Sequence, residues 1–243
     1  IPPMQFREKT CVRGHRSPGK KITEIILPHG VEGGTLHMIR KENLEATLKA
    51  IGYIQSTRTN VFEKKYAQFD CTIEVDFNGN GSINYPEEKG MKITRKTTCN
   101  FSQPENFVVL ECITRLMDKG YRPEHIELEK EWTLGHSDKG GFADILVKDA
   151  DGKTLFIIEC KTPGTEYKKE LNNTLNDGGQ LFSYWKQEGY CKWLSLYASD
   201  FDGTSVSYTT ETIDCSDDAN ILATAKKDPS ILLYRDAGTT EDL

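Results

Sequence analysis

GGFADILVKDADGKTLFIIECKTPG, residues 140–164, decides the fold. Two apolar runs, ADILVK (143–148) and TLFIIECK (154–161), flank the turn-forming DADG (149–152). β-rich runs either side of such a cluster predict a hairpin. If the turn pairs Lys148 with Lys153, Asp144 faces Ile157 and lies diagonal to Glu159 on one face of the sheet. Lys161 follows on that face by the strand period of two. Diagonal side chains with Cβ atoms about 7 Å apart can reach one ion. A one-residue slip would send the two carboxylates to opposite faces.

The residue types match a metal-dependent phosphodiester-cutting site. A hard cation such as Mg²⁺ takes oxygen ligands and is held by one or two carboxylates plus waters and substrate phosphate. It acidifies a water and offsets charge on the reacting phosphate, while Lys161 positions the water or adds positive charge. Glu159-Cys160-Lys161 follows the apolar Leu155, Phe156, Ile157 and Ile158, so charge sits at the end of a buried strand. That is costly unless the charges are paired or metal-bound. The competing reading is a hairpin whose polar residues are only solvated or ion-paired. Downstream, Gln180 and Tyr184 in DGGQLFSYWKQ (177–187) stand four apart and share a helix face. Asp177 and Gln180 have capping-box spacing, which starts that helix near Asp177 and leaves capping and packing as alternative roles for the pair.

The order of elements resembles the PD-(D/E)XK nuclease family, in the version at the N-terminus of type I restriction subunits and of restriction enzymes fused to an N6-adenine DNA methylase. The matching stretches, from about residue 103 to about 199, are PENFVVLECITRLMDKGYRPEHIELEKEW, FADILV, FIIECKTPG, GGQLFSYW and WLSLYASDFDG. The resemblance implies an α/β fold with a restriction-endonuclease-like core, a mixed central sheet flanked by helices, beside a smaller N-terminal α+β region. It implies that Asp144 and Glu159 hold Mg²⁺, or Mn²⁺ as a substitute, with the Cys160 carbonyl, and that Lys161 is the catalytic lysine. Gln180 and Tyr184 match the family's Q-x-x-x-Y motif, and Ala143-Asp144 stands where the family has proline-aspartate. The expected substrate is double-stranded DNA, and the expected partners are methylase or specificity units of a restriction complex. A catalytically silent DNA-binding or assembly module and a repair or RNA-processing nuclease are the alternatives, since fold alone does not fix substrate.

The family adds an acidic residue from its first helix, and Glu105 and Glu111 compete for that place. Six positions apart, they stand about 240° apart around a helix. Glu105 falls with Val109, Cys112 and Leu116 on the apolar side, Glu111 with Thr114, Arg115 and Asp118 on the polar side. Glu105 is therefore the site candidate, although Ser102-Gln-Pro-Glu105 also has capping-box form. Glu129, on the preceding strand, stays outside the set.

Composition bounds the rest. The 243 residues suffice for one large or two small domains. No apolar run approaches the roughly 20 residues of a membrane span, and the first residues lack signal-peptide design. Seven scattered cysteines without a C-x-x-C pair fit reduced thiols and the cytoplasm. A net charge of −6 is unlike a stand-alone polyanion binder, so DNA contact needs a local basic patch or another part of an assembly.

The expected organisation is an N-terminal α+β region (1–100), a nuclease domain (101–215) and a C-terminal segment (216–243). The basic CVRGHRSPGKK (11–21) reads as a solvated loop, residues 22–27 as a strand and 39–52 as an amphipathic helix, followed by strands at 60–66, 70–77, 82–85 and 92–97. Asp76 to Glu87 fits a calcium-loop pattern, but its flanks alternate like strands, and NGNG reads as a hairpin turn. LKAIGYIQ and LMDKGYRPE look like two helix ends rather than a repeat. CKWLSLYAS reads as a strand reached by a crossover. The apolar Ile231, Leu232 and Leu233 near the end suggest a longer polypeptide carrying a motor or methylase. No phosphate loop or N-P-P-[YF] step occurs within these residues.

Overall fold

The computed structural model describes residues 38–132, 141–177, 179–215 and 233–234. The basic cluster at 11–21, the strand expected at 22–27 and most of 216–243 lie outside them. Helix α1 (Lys41–Ala50) buries Leu44, Thr47 and Leu48. Its first turn is fixed by the Arg40 N–H donating to Asn43 Oδ1 at 2.7 Å. Strands β1 (Ile54–Gln55), β2 (Val61–Tyr66), β3 (Cys71–Asp76) and β4 (Ser82–Asn84) form an antiparallel sheet in that order. The sequence CTIEVD makes β3 alternate between buried and part-exposed residues, the mark of a half-buried strand.

The second sheet carries the site. Its strands are β5 (Lys92–Ile93), β6 (Ile126–Glu131), β7 (Phe142–Lys148), β8 (Thr154–Cys160), β9 (Trp193–Phe201), β10 (Val206–Asp214) and β11 (Leu233–Tyr234). Helix α2 (Glu105–Asp118) joins β5 to β6, and α3 (Thr165–Asp177) with α4 (Gly179–Glu188) joins β8 to β9. The strand order is β11-β10-β9-β8-β7-β6-β5, with β5/β6 and β8/β9 parallel and the other pairs antiparallel. The fold is mixed α/β.

Two apolar layers follow from the strand period. Val147, Phe156 and Ile158 pack with α2 residues Phe107, Val108 and Ile113, and with Leu44, Ile73 and Ile83 from the N-terminal elements. Leu146, Ile157, Leu194 and Leu196 pack with Leu181, Phe182 and Tyr184 of α4. The elements from residue 38 onward thus share a core with the larger sheet. Among the described residues, no helix is long and apolar enough to cross a membrane, and six cysteines are free.

Two expectations change. The β7–β8 register pairs Ile145 with Ile158 and Leu146 with Ile157, two residues from the expected pairing, with an irregularity between Val147 and Lys148. Asp149 causes it: its Oδ1 accepts the N–H groups of Asp151 and Lys153, both at 2.9 Å, which tightens a five-residue connection. The strand expected over 92–97 stops at Ile93. The Asp76 loop is a hairpin in which Asp76 pairs with Ser82 and its Oδ1 accepts the Asn78 N–H at 2.8 Å, while Glu87 pairs with Lys96. The two Gly-Tyr helix ends have identical geometry. Gly52 bonds to Lys49 and Tyr53 to Leu48, as Gly120 does to Met117 and Tyr121 to Leu116. Each glycine takes a positive φ, which is the Schellman closure.

Candidate functional site

Asp144 lies one residue beyond the last β7–β8 pair, and continuing that register sets it opposite Glu159. The shift of two from the expected pairing preserves parity, so the carboxylates keep a common face. The ladder stops there because the Cys160 N–H donates to Asp144 Oδ2 at 2.7 Å rather than to a backbone carbonyl. That bond brings the Cys160 main chain to the Asp144 carboxylate. Lys161 is anchored by its N–H to the Tyr197 carbonyl at 2.8 Å. Its ammonium donates to Glu159 Oε1 at 2.5 Å and stands 3.7 Å from Glu105 Oε2. Asp144, Glu159, Cys160, Lys161 and Glu105 are therefore brought together.

Electrostatics in the site follow from burial. Glu159 is 3% exposed, and desolvation pushes its carboxyl up to about 7 against the opposing pull of Lys161. Asp144 is held well above its ordinary value by burial and then by the Glu159 charge. Burial alone would lower the Lys161 ammonium, but Glu159, Asp144 and Glu105 reverse that and hold it above its ordinary range. Lys161 is thus a fixed cation at neutral pH and not a proton acceptor. Glu105 is raised by burial, opposed by Lys161.

The capping reading of Glu105 fails. The N-cap of α2 is Pro104, which makes no side-chain cap bond, and the Glu105 carboxylate turns to Lys161. Glu111 does not lie on a solvated side: it is 2% exposed, accepts from the Tyr197 hydroxyl at 2.6 Å and pairs with Arg115. Arg115 Nε in turn donates to Tyr197 Oη at 3.0 Å. Tyr197 therefore ties α2 to the strand that anchors Lys161, and this places Glu105. Glu111 is an anchor of the helix, not a site acid.

Gln180 and Tyr184 separate in role. Tyr184 is buried, stacks on Trp132 at 5.3 Å and 17°, and has its hydroxyl raised by burial and then by Glu159 and Asp144. A Cβ at Gly141 would lie 2.5 Å from its ring, so the residue entering β7 must be glycine for the ring to sit there. Glu188 fixes the far end of α4, accepting from Trp132 Nε1 at 2.8 Å and Thr154 Oγ1 at 2.5 Å. Gln180 is exposed, with Nε2 3.4 Å from Tyr184 Oη. Its N–H goes to Glu170 Oε1 of α3 at 3.3 Å. The Asp177 side chain, invoked as partner in a capping box, lies outside the described ones.

Glu129 is the residue that sequence reasoning left out. The β6–β7 register pairs Leu128 with Ile145 and Lys130 with Ala143, which sets Glu129 level with Asp144. It lines a cavity of about 350 Å³ together with Asp144, Glu105, Thr98 and Asn106. The alternation in IELEKE was the available signal, because it groups Glu127, Glu129 and Glu131.

Among the described residues, no three His, Cys, Asp or Glu side chains converge as a ready metal cage. Mg²⁺ does not need one, because one or two carboxylates with waters and phosphate suffice. Glu159 Oε2 is buried with no hydrogen-bond partner, and Oδ2 of Asp144 is the oxygen used by Cys160. The free oxygens and the hard donor set fit such a cation. No protein-family model matches the chain, and no curated protein matches it in sequence.

Proposed function

We propose that the chain is a Mg²⁺-dependent DNA endonuclease domain of a restriction system, with a restriction-endonuclease-like core and Mn²⁺ as a substitute metal. The observation that carries this reading is the Lys161 ammonium held between Glu159 and Glu105, beside Asp144 and an unpartnered buried oxygen of Glu159. A structural ion pair would use both oxygens of a buried carboxylate. Here one is left for a ligand.

Asp144 and Glu159 would hold the cation, with the Cys160 carbonyl at the same strand end. Bound there, it supplies an acidified water and offsets charge on a phosphate. Lys161, kept protonated by its three carboxylate neighbours, donates to the attacking water or a phosphate oxygen and places positive charge where negative charge develops. Glu105 holds Lys161 from the helix side. Tyr184, fixed by Trp132, presents its hydroxyl toward the carboxylates, and Gln180 reaches outward as a contact for the DNA backbone. Methylase or specificity units of a restriction complex are the proposed partners.

The test is cleavage by this 243-residue chain of supercoiled plasmid, single-stranded DNA and RNA, each with Mg²⁺, with Mn²⁺ and with chelator. Metal-dependent nicking or linearisation of the duplex is expected. Cleavage that survives chelation would overturn the reading, and preferential cutting of RNA would move it to RNA processing.

A further inference from the structure

Arg95 is exposed, and its guanidinium carbon lies 4.1 Å from the centre of the Phe142 ring. Contact with an aromatic face holds the group without using its N–H donors. Two other arginines lie over rings, Arg115 over Tyr208 and Arg122 over Phe69, and each also pairs with a carboxylate, Glu111 and Glu124. Arg95 has no such partner among the described residues, although Glu131 stands directly across the ladder from Phe142.

Phe142 and Asp144 are two residues apart on β7, so the ring and the carboxylate share a face of the sheet. Two residues of strand span roughly 7 Å, the scale of one step between phosphates along a nucleic-acid strand. The sheet edge delivers Arg95 to this place: β5 ends at Ile93, and the Thr94 N–H donates to the Leu128 carbonyl at 3.1 Å. The chain then returns through Thr97, Asn100 and Gln103, which line the cavity beside Asp144. Electrostatics favour a cation here. Glu105, Asp144 and Glu159 gather at this strand end in a chain of net charge −6, and together they repel a phosphodiester. Lys161 is held between Glu159 and Glu105, while Lys130 and Lys148 both lie against Glu127. Arg95 stays open to an incoming anion.

We propose that Arg95, seated on Phe142, binds the backbone phosphate neighbouring the one held at Asp144, and so positions the DNA strand in the site. The inference rests on reading Asp144, Glu159 and Lys161 as a site for duplex DNA. A guanidinium suits the task, because its edge matches two phosphate oxygens while its face stays on the ring. The neighbouring phosphate does not react, so the contact is equal before and during bond breaking and serves binding rather than the chemical step.

Duplex binding by the 243-residue chain, followed by fluorescence anisotropy in Ca²⁺ from about 50 to about 200 mM salt, tests it. Arg95→Gln is expected to weaken binding about tenfold at the low-salt end and to make the salt slope shallower by about 0.9. Arg95→Lys keeps the charge and should restore the wild-type slope. Phe142→Leu removes the platform alone and should weaken binding at an unchanged slope. In Mg²⁺, Arg95→Gln should need about tenfold more protein for half-maximal single-turnover cleavage and keep the rate at saturation. An unchanged slope in Arg95→Gln overturns the inference. So does a lowered saturating rate at unchanged half-saturation, which would put Arg95 on the reacting phosphate. The expected binding changes in a chain that does not cut uphold Arg95 and sink the nuclease reading. Failure of wild type to bind duplex DNA overturns both.

Discussion

Replacing Lys161 by methionine removes a cation and keeps most of its volume, so the change isolates charge. Glu159 responds first, because its side chain is 4% exposed and 2.5 Å from the ammonium. With Lys161 present its carboxyl stands at about 7, above the ordinary 4.5. A raised carboxyl contributes stability that is fully present below its unfolded value and is lost as pH rises through the folded one. In chelator, wild-type stability from this group therefore falls between about pH 4.5 and 7 and then levels, as both states ionise. Without Lys161 the carboxyl stays neutral to higher pH, and the decline continues. The difference between variant and wild type is expected to be near zero at about pH 5 and to grow with pH above about 7, by at most about 1.4 kcal/mol per pH unit. Glu105, one-third exposed and farther away, adds a smaller part. Urea unfolding across that range, in chelator, measures it. A Lys161→Met loss that is equal at pH 5 and pH 9 would refute the buried pairing.

Other expectations follow from particular contacts. Arg115→Met strands the buried Glu111, and unfolding by urea should show a loss of about 3–5 kcal/mol, whereas Tyr197→Phe costs about 1.5–3. Gly141→Ala forces a methyl against the Tyr184 ring, so a loss of about 1–3 kcal/mol is expected, with a changed near-ultraviolet dichroism from the Trp132 stack. Burial pushes the Cys191 thiol up to about 12, so alkylation at about pH 8 followed by mass spectrometry should leave it unmodified in the native chain and label it after unfolding.

The hairpin was legible because a run of apolar residues either side of a turn cluster leaves little choice, and parity made the shared face of Asp144 and Glu159 survive a register two residues off. The register itself was hidden, since the side chain of Asp149 shapes the connection and no periodicity records that. Helix α1 and strands β2 and β3 were found within a residue or two for the same reason of alternation. Glu111 was misplaced because a helix wheel takes polar residues to face water, whereas its partner Tyr197 lies 86 positions away. The choice of Glu105 rested on the same wheel and agrees with its contact to Lys161. Glu129 was left outside the set because its level with Asp144 depends on a connection whose length does not fix pairing. Trp132 and Glu188 were not identified as supports of Tyr184, because side chains that meet across 56 positions carry no local signal.

The most direct test of the central claim is single-turnover cleavage of duplex DNA in Mg²⁺ by wild type, Asp144→Ala, Glu159→Ala and Lys161→Ala, each shown by circular dichroism to be folded. Loss of cleavage in all three, with wild type active, is the result this site predicts. Near wild-type rates in any of them would contradict it.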